Sequence, residues 1–225
     1  MYQRVLKSGH NNMGNLKQIA LVMLASIAVV ALMVFGLSSA SKGETGAAAV
    51  IGNEELTDGA RIESQKGERK VTVVEFTDMQ CPACKSVKPL TDQLKMMDGV
   101  RMVYRHFPLI SIHKNAWKAA RAVEAAREQE KAHEMMDKLF DTQAEWSELT
   151  AVDSKFEEYA KTIGLDGNKF KEAYLSDRSE KGVVTDNTLA AKLKLQGTPT
   201  FFVNGEQVAS NFVMGKVEEL LKNGN

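Results

Sequence analysis

The spacing of apolar residues predicts a β-α-β unit at the start of the folded part of the chain. Residues 71–76 are rich in β-branched side chains and predict a strand, and residues 100–107 predict a second one. Between them, apolar side chains recur at helical spacing and predict a helix from Cys84 to about Asp98; these are Val87, Leu90 and Leu94. Such a crossover favours a parallel pair of strands.

A block of helices is predicted next. Apolar positions at i, i+3, i+4, i+7 and i+8 give one buried face after an alanine-rich stretch; they are Ala132, Met135, Met136, Leu139 and Phe140. The predicted helical segments span 116–126, 132–140, 153–163, 168–175 and 179–193. The block is too long to be a simple loop between two strands.

The pattern returns to β structure near the C-terminus. Residues 197–208 contain two short β runs joined at Asn204-Gly205, which is a strong hairpin signal. A final helix presents one apolar face made by Val213, Val217, Leu220 and Leu221. The chain therefore predicts an α/β domain with a helical block inside it.

An apolar run precedes the domain. Residues 19–37 carry no charge, and about 20 such residues cross a bilayer core as a helix. Arg4, Lys7 and Lys17 lie before the run, so the positive-inside rule predicts a basic cytoplasmic N-terminus, 1–18, and an extracytoplasmic remainder. The sequence thus predicts a single-pass membrane anchor. A cleaved signal sequence, ending at the small residues 38–41 and giving a secreted protein, is the alternative.

Residues 38–67 separate the apolar run from the predicted domain. They are rich in serine, glycine, alanine and glutamate and show little periodicity, which predicts a flexible linker. The predicted domain comprises residues 68–225, a usual size for one hydrophobic core.

The charge balance excludes one class of partner. The chain has 29 basic and 29 acidic residues, so its formal net charge is zero. Nucleic-acid binding generally needs a basic field. We therefore expect no nucleic acid as a partner.

The two cysteines of the chain, Cys81 and Cys84, lie where the first strand hands over to a helix. A disulfide closing so small a loop gains little chain entropy, so an inert structural bridge is the weaker interpretation. A zinc site is also disfavoured, because His106 and His113 do not complete a usual four-ligand spacing. Either histidine could instead tune a thiolate. The spacing favours redox chemistry by the cysteine pair.

Four segments, in this order, carry a resemblance to a known family. They are Glu75-Phe76, Cys81-Pro82-Ala83-Cys84, Tyr104-Arg105-His106-Phe107-Pro108-Leu109 and Gly197-Thr198-Pro199-Thr200-Phe201-Phe202-Val203-Asn204-Gly205. The chain resembles the DsbA-like thiol-disulfide oxidoreductases of the thioredoxin superfamily. The resemblance implies a thioredoxin-like α/β fold with an inserted helical domain at about 111–195.

The chemistry of a helix start assigns roles to the cysteine pair. Cys81 is the expected nucleophile, since unpaired N–H groups and the helix dipole favour its thiolate. Pro82 suits the first helical turn, where its missing N–H is no loss; we also place it at the substrate-binding surface. Cys84, about one turn away, is the expected resolving cysteine.

Three further site residues follow from the resemblance. Pro199 matches the family's cis-proline beside the cysteines, with Thr198 reaching the Cys81 sulfur or a substrate backbone; an ordinary trans-proline is the alternative. Glu75 matches a buried acid that relays a proton to or from Cys84. A solvent-facing position on its strand is the alternative for Glu75.

The apolar run 19–37 and the resemblance together imply a membrane-tethered, extracytoplasmic oxidoreductase that exchanges disulfides with exported proteins, most simply as an oxidant. It also implies a membrane redox partner of the DsbB or VKOR type. We expect no cofactor and no metal, since the cysteine pair carries the two electrons. Ala83 stands where DsbA has histidine, which leaves reductase or isomerase activity open. A non-enzymatic client-binding module is a further alternative.

Overall fold

The computed structural model describes residues 51–224, and a mixed sheet lies at their centre. Its strands run in the order β1-β3-β2-β4-β5. The strands are β1 (Ile62–Gln65), β2 (Val71–Thr77), β3 (Val100–His106), β4 (Thr200–Val203) and β5 (Glu206–Val208). β2, the strand that leads to the cysteines, pairs in parallel with β3 and antiparallel with β4. It therefore has a hydrogen-bonded neighbour on each side.

Helices cover both faces of the sheet. Those of the described residues are α1 (Asn53–Thr57), α2 (Pro82–Met96), α3 (Ala116–Arg127), α4 (Ala132–Asp141), α5 (Gln143–Trp146), α6 (Asp153–Thr162), α7 (Gly167–Leu175), α8 (Asp177–Lys192) and α9 (Val213–Asn223), with a 3₁₀ turn at Ser210–Phe212. Six of them, α3 to α8, lie between β3 and β4. This agrees with the predicted thioredoxin-like fold with an inserted helical domain.

β2 is buried along its whole length, and its alternating side chains enter two apolar clusters. Val71 and Val73 lie in the larger cluster, with α2, α9 and the insertion. Val74 and Phe76 lie in the smaller one, which α1 and α8 cover. Burial on both faces explains why β2 is rich in β-branched and apolar side chains and shows no regular alternation of polar and apolar residues.

The helical insertion is built around α3. Its alanines approach neighbouring helices closely; Ala119, Ala122, Ala125 and Ala126 have no exposed surface. Trp146 on α5 is fully buried, packs edge-on against Phe156 and donates its indole N–H to the Leu139 carbonyl. These contacts give the insertion a core that is continuous with one face of the sheet.

The predicted flexible linker, 38–67, is wrong for its last part. Residues 53–57 form α1, and residues 62–65 form β1, which pairs antiparallel with β3. Arg105 on β3 donates to the carbonyls of Leu56 and Asp58 at the end of α1. Such contacts between distant segments leave no periodic signal in so short a stretch, which is why composition alone suggested a linker.

Ile62 gives a direct test of this correction. It is buried at 3% exposure, so Ile62→Ala should lower the free energy of unfolding by about 3 kcal/mol. The neighbouring Glu63 side chain is 44% exposed, and Glu63→Ala should change stability by no more than about 1 kcal/mol. Urea denaturation of both variants measures the difference. Equal midpoints would mean that the Ile62 side chain contributes no packing.

No helix among residues 51–224 has the length and apolar character needed to cross a membrane. The predicted basic N-terminus, 1–18, and the predicted anchor or signal segment, 19–37, lie outside the described residues. So do residues 38–50 of the predicted linker.

Candidate active site

The cysteines lie at the junction of β2 and α2. β2 ends at Thr77, and a tight turn carries the chain into α2, with the Cys81 N–H donating to the Asp78 carbonyl over 3.0 Å. Cys81 is the N-cap of α2, with extended backbone angles of φ −73° and ψ 122°. Pro82 follows in the first helical turn, where an N–H has no intrahelical partner to lose. Both residues stand where the sequence places them.

The two thiols differ in acidity. A hydrogen bond from Cys84 is the largest influence on Cys81; with the N–H groups of Cys84 and Ala83 and the side chain of Thr198, it outweighs desolvation and lowers the pKa of Cys81 to about 5. Burial, followed by the Cys81 sulfur, raises the pKa of Cys84 well above its ordinary value. At neutral pH the pair is a Cys81 thiolate beside a Cys84 thiol.

The segment before β4 lies against Cys81. The Thr198-Pro199 peptide bond is cis, as the resemblance implies, so the trans alternative is wrong. The Cys81 sulfur lies 3.5 Å from the Thr198 carbonyl oxygen. The Thr198 hydroxyl is buried, and apart from its interaction with the cysteine sulfurs it has no hydrogen-bond partner within residues 51–224. This hydroxyl therefore favours the Cys81 thiolate, and no other group of the described residues competes for it.

Glu75 lies on β2, six residues before Cys81, and is buried at 2% exposure. The alternative of a solvent-facing side chain is therefore wrong. Burial is the main cause that raises its pKa to about 8, and the Cys81 charge adds to it, against a hydrogen bond from Thr77. The carboxyl group also raises the pKa of Cys84 electrostatically. A charge on Glu75 therefore disfavours the Cys84 thiolate.

Asp78 is a site residue that sequence reasoning missed. Its backbone N–H lies 3.5 Å from the Cys84 sulfur. Its buried carboxylate accepts the N–H of Leu109 over 2.9 Å and lies 2.8 Å from Nδ1 of His113. In sequence, an aspartate in a turn before a helix is ordinarily a solvated turn former. Only the structure shows that the turn is buried and that Asp78 links it to Leu109 and His113.

The two histidines have different surroundings. His113 reaches the site indirectly, through Asp78. Nε2 of His106 lies 3.3 Å from Glu124, and the backbone N–H of His106 donates to Asp186. His106 thus belongs to a separate buried cluster.

That cluster is a group of His106, Glu124 and Asp186 whose potential ligand atoms lie within 4.8 Å of one another. Guanidinium groups already contact both carboxylates: Arg61 bonds Glu124 and Asp186, Arg105 bonds Asp186, and Arg127 bonds Glu124. Three cations beside two carboxylates oppose the entry of a metal ion. We interpret the cluster as an ion-pair network that ties α3, α8 and β3 together.

The pKa of Cys81 can be tested through its main cause. In Cys84→Ala the hydrogen-bond donor is lost, so the thiolate absorbance of reduced Cys81 should titrate at least about one pH unit higher. Cys84→Ser keeps a donor of similar size and should retain most of the low pKa. Titration of absorbance near 240 nm measures both. Equal curves for the alanine and serine variants would contradict the assigned cause.

Comparisons with known proteins agree with this arrangement. A thioredoxin family, Thioredoxin_4, matches residues 66–223. The Na⁺/H⁺ antiporter NhaA 3 of Salinispora tropica is 42% identical over 142 residues, which cover 62% of this chain and 21% of the antiporter. The chain thus matches only about a fifth of the length of that relative.

Two other proteins match over most of their length. The probable disulfide bond formation protein D of Bacillus anthracis is 27% identical over 209 residues, 87% of this chain and 92% of that protein. The crystal structure of a thioredoxin-like oxidoreductase from Silicibacter pomeroyi is 26% identical, with a TM-score of 0.62, over 76% of this chain and 98% of that chain. The resemblance to DsbA-like proteins is confirmed, and by the match over residues 66–223 the chain belongs to the Thioredoxin_4 family of thioredoxins.

Proposed function

We propose that this protein is an extracytoplasmic thiol-disulfide oxidoreductase that introduces disulfides into exported proteins through Cys81 and Cys84. The observation that carries the proposal is the unequal pair: a Cys81 pKa lowered to about 5 at the start of α2, beside a buried Cys84 whose pKa is raised. A stable thiolate favours the reduced pair and so makes the disulfide a stronger oxidant.

The proposed reaction begins with the Cys81–Cys84 disulfide. A client thiolate attacks the Cys81 sulfur, the bond between the cysteines breaks, and Cys84 leaves with the electron pair and takes up a proton. Glu75, buried with a pKa near 8, is the proposed source of that proton. A second client thiolate then attacks the client sulfur of the mixed disulfide, and Cys81 leaves as a thiolate. The client loses two electrons and the pair gains them.

Thr198 and Pro199 are proposed to guide the client. Their segment lies against Cys81, and the Thr198 hydroxyl, whose only interaction among the described residues is with the cysteine sulfurs, can donate to the departing thiolate or to a bound backbone. Pro82 adds an apolar, exposed surface next to Cys81. These contacts would bring an extended client segment to the sulfur without requiring a particular sequence.

The proposed location is the outer side of the cell membrane, with residues 19–37 as a single-pass anchor; secretion after signal cleavage is the alternative. A tether would hold the enzyme near emerging clients and near a quinone-linked redox partner of the DsbB or VKOR type. The disulfide bond formation named for the Bacillus anthracis relative supports the oxidative direction.

The redox potential of the pair tests the direction. Equilibration with glutathione of the protein beginning at Ile51 should give a potential nearer about −120 mV than about −270 mV, because the Cys81 thiolate is strongly favoured. A potential near about −270 mV would instead indicate disulfide reduction or isomerisation. Failure to find a reversible couple would leave a client-binding module.

A further inference from the structure

The turn that presents Cys81 is held by a side chain of the helical insertion. Gln143, the first residue of α5, is buried at 7% exposure. Its Nε2 donates to the carbonyl of Met79 over 2.9 Å and to that of Cys81 over 3.1 Å. One amide group therefore bonds the carbonyls on either side of Gln80, the residue that precedes Cys81.

Gln80 forms a second link between the turn and the insertion. Its Nε2 donates to the Ser147 carbonyl over 2.9 Å, and its Oε1 accepts the backbone N–H of Asn115 over 2.8 Å. Asn115 in turn braces the insertion, since its side-chain amide donates to the carbonyls of Trp146, Ser147 and Leu149. The turn is therefore fastened to a part of the insertion that is itself fixed.

The Cys81 carbonyl connects these hydrogen bonds to the first turn of α2. It also accepts the Lys85 N–H over 3.1 Å, the bond that begins α2. The N–H groups of Ala83 and Cys84, which favour the thiolate, belong to the same first turn. Hydrogen bonds weaken steeply with distance and angle. A small movement of the Cys81 backbone would therefore change how well those groups hold the sulfur.

We propose that Gln143 is a positioning residue for Cys81: by bonding the Met79 and Cys81 carbonyls it fixes the sulfur against the start of α2 and so sets the redox poise of the pair. Gln80 acts in the same sense from the other side of the turn. The role of this redox potential in disulfide exchange rests on the proposed function. The insertion thereby determines the reactivity of a cysteine that lies outside it.

Gln143→Met tests the proposal, because methionine has a similar length and no donor. In the reduced protein the Cys81 thiolate should titrate about half a unit to one unit higher. The equilibrium with glutathione should shift about three- to tenfold toward the disulfide, since one unit of pKa corresponds to a factor of ten. Absorbance titration and the glutathione equilibrium measure the two effects separately.

Gln129→Met is the matched control. Gln129 also bonds the backbone twice, through the N–H and carbonyl of Asp166, yet both partners lie within the insertion. This variant should lower the unfolding midpoint and leave the Cys81 titration unchanged. If Gln143→Met also lowers only the midpoint, Gln143 is a structural residue and the proposal is overturned.

Gln80→Met keeps the test decisive if Gln143→Met does not fold. It removes the second link and should also raise the pH at which the Cys81 thiolate titrates. A titration curve identical to that of the wild type would overturn the proposal. The titration needs no client and no oxidant. If no reversible equilibrium with glutathione is found, the proposed function is contradicted. The titration then still decides whether Gln143 positions Cys81.

Discussion

Cys84→Ala should convert the protein into a trap that keeps client chains bound to Cys81 through a mixed disulfide. The Cys81 thiolate can still attack a client disulfide, because its pKa stays below the ordinary value of a cysteine. Release by attack of Cys84 is lost, however, and only attack by a client thiolate remains. Well-placed intramolecular groups act with very high effective concentrations, so for clients whose second thiolate does not reach the mixed disulfide, release should slow by on the order of a thousandfold or more. Non-reducing gels and mass spectrometry of the adducts measure the trapped fraction.

The matched control is Cys81→Ala, which leaves Cys84. Cys84 is 1% exposed against 6% for Cys81, and burial raises its pKa, so it presents little thiolate and little surface. This variant should form few adducts. Equal adducts on both variants would contradict the assignment of Cys81 as the nucleophile. Complete absence of adducts on Cys84→Ala would contradict exchange through a mixed disulfide.

The centre of the sheet could be predicted because its signals are local. β2 is a run of β-branched residues, the hairpin has Asn204-Gly205 at its tip, and the cysteines are adjacent along the chain. The observed β2, α2 and β3 match the predicted segments to within two residues at each end. The cis bond before Pro199 came from the resemblance, since spacing alone would have favoured trans.

Contacts between distant segments could not be predicted in the same way. β1 has only four residues, and its partner β3 lies nearly forty residues further along, so no periodicity marks it. Asp78, Gln80 and Gln143 are ordinary polar residues in sequence, and only the packing of the insertion against the active-site turn brings them into hydrogen bonds between the two. The sidedness of Glu75 also needed the structure, because β2 is covered on both faces.

Glu75→Gln should change how stability depends on pH. The folded pKa of Glu75 is about 8 against an ordinary value of 4.5, so its folded form holds a proton that the unfolded chain has lost. The stability that Glu75 contributes is complete below about pH 4.5 and is lost as pH rises toward 8. Glutamine cannot ionise and does not lose it. The variant should therefore gain on the order of 4 kcal/mol over the parent protein between pH 4.5 and 9.

The comparison should use a parent in which both cysteines are alanine, because Cys81 titrates in the opposite sense: its lowered pKa adds stability to the reduced protein as pH rises from about 5. Burial, the main cause of the Glu75 shift, persists in that background. Glu63→Gln, at an exposed carboxylate on β1, is the control and should leave the pH dependence nearly unchanged. Urea unfolding at several pH values measures the slopes. Parallel curves for Glu75→Gln and its parent would mean that Glu75 ionises freely in the fold, and it could then not supply the proton that Cys84 needs as it leaves the disulfide.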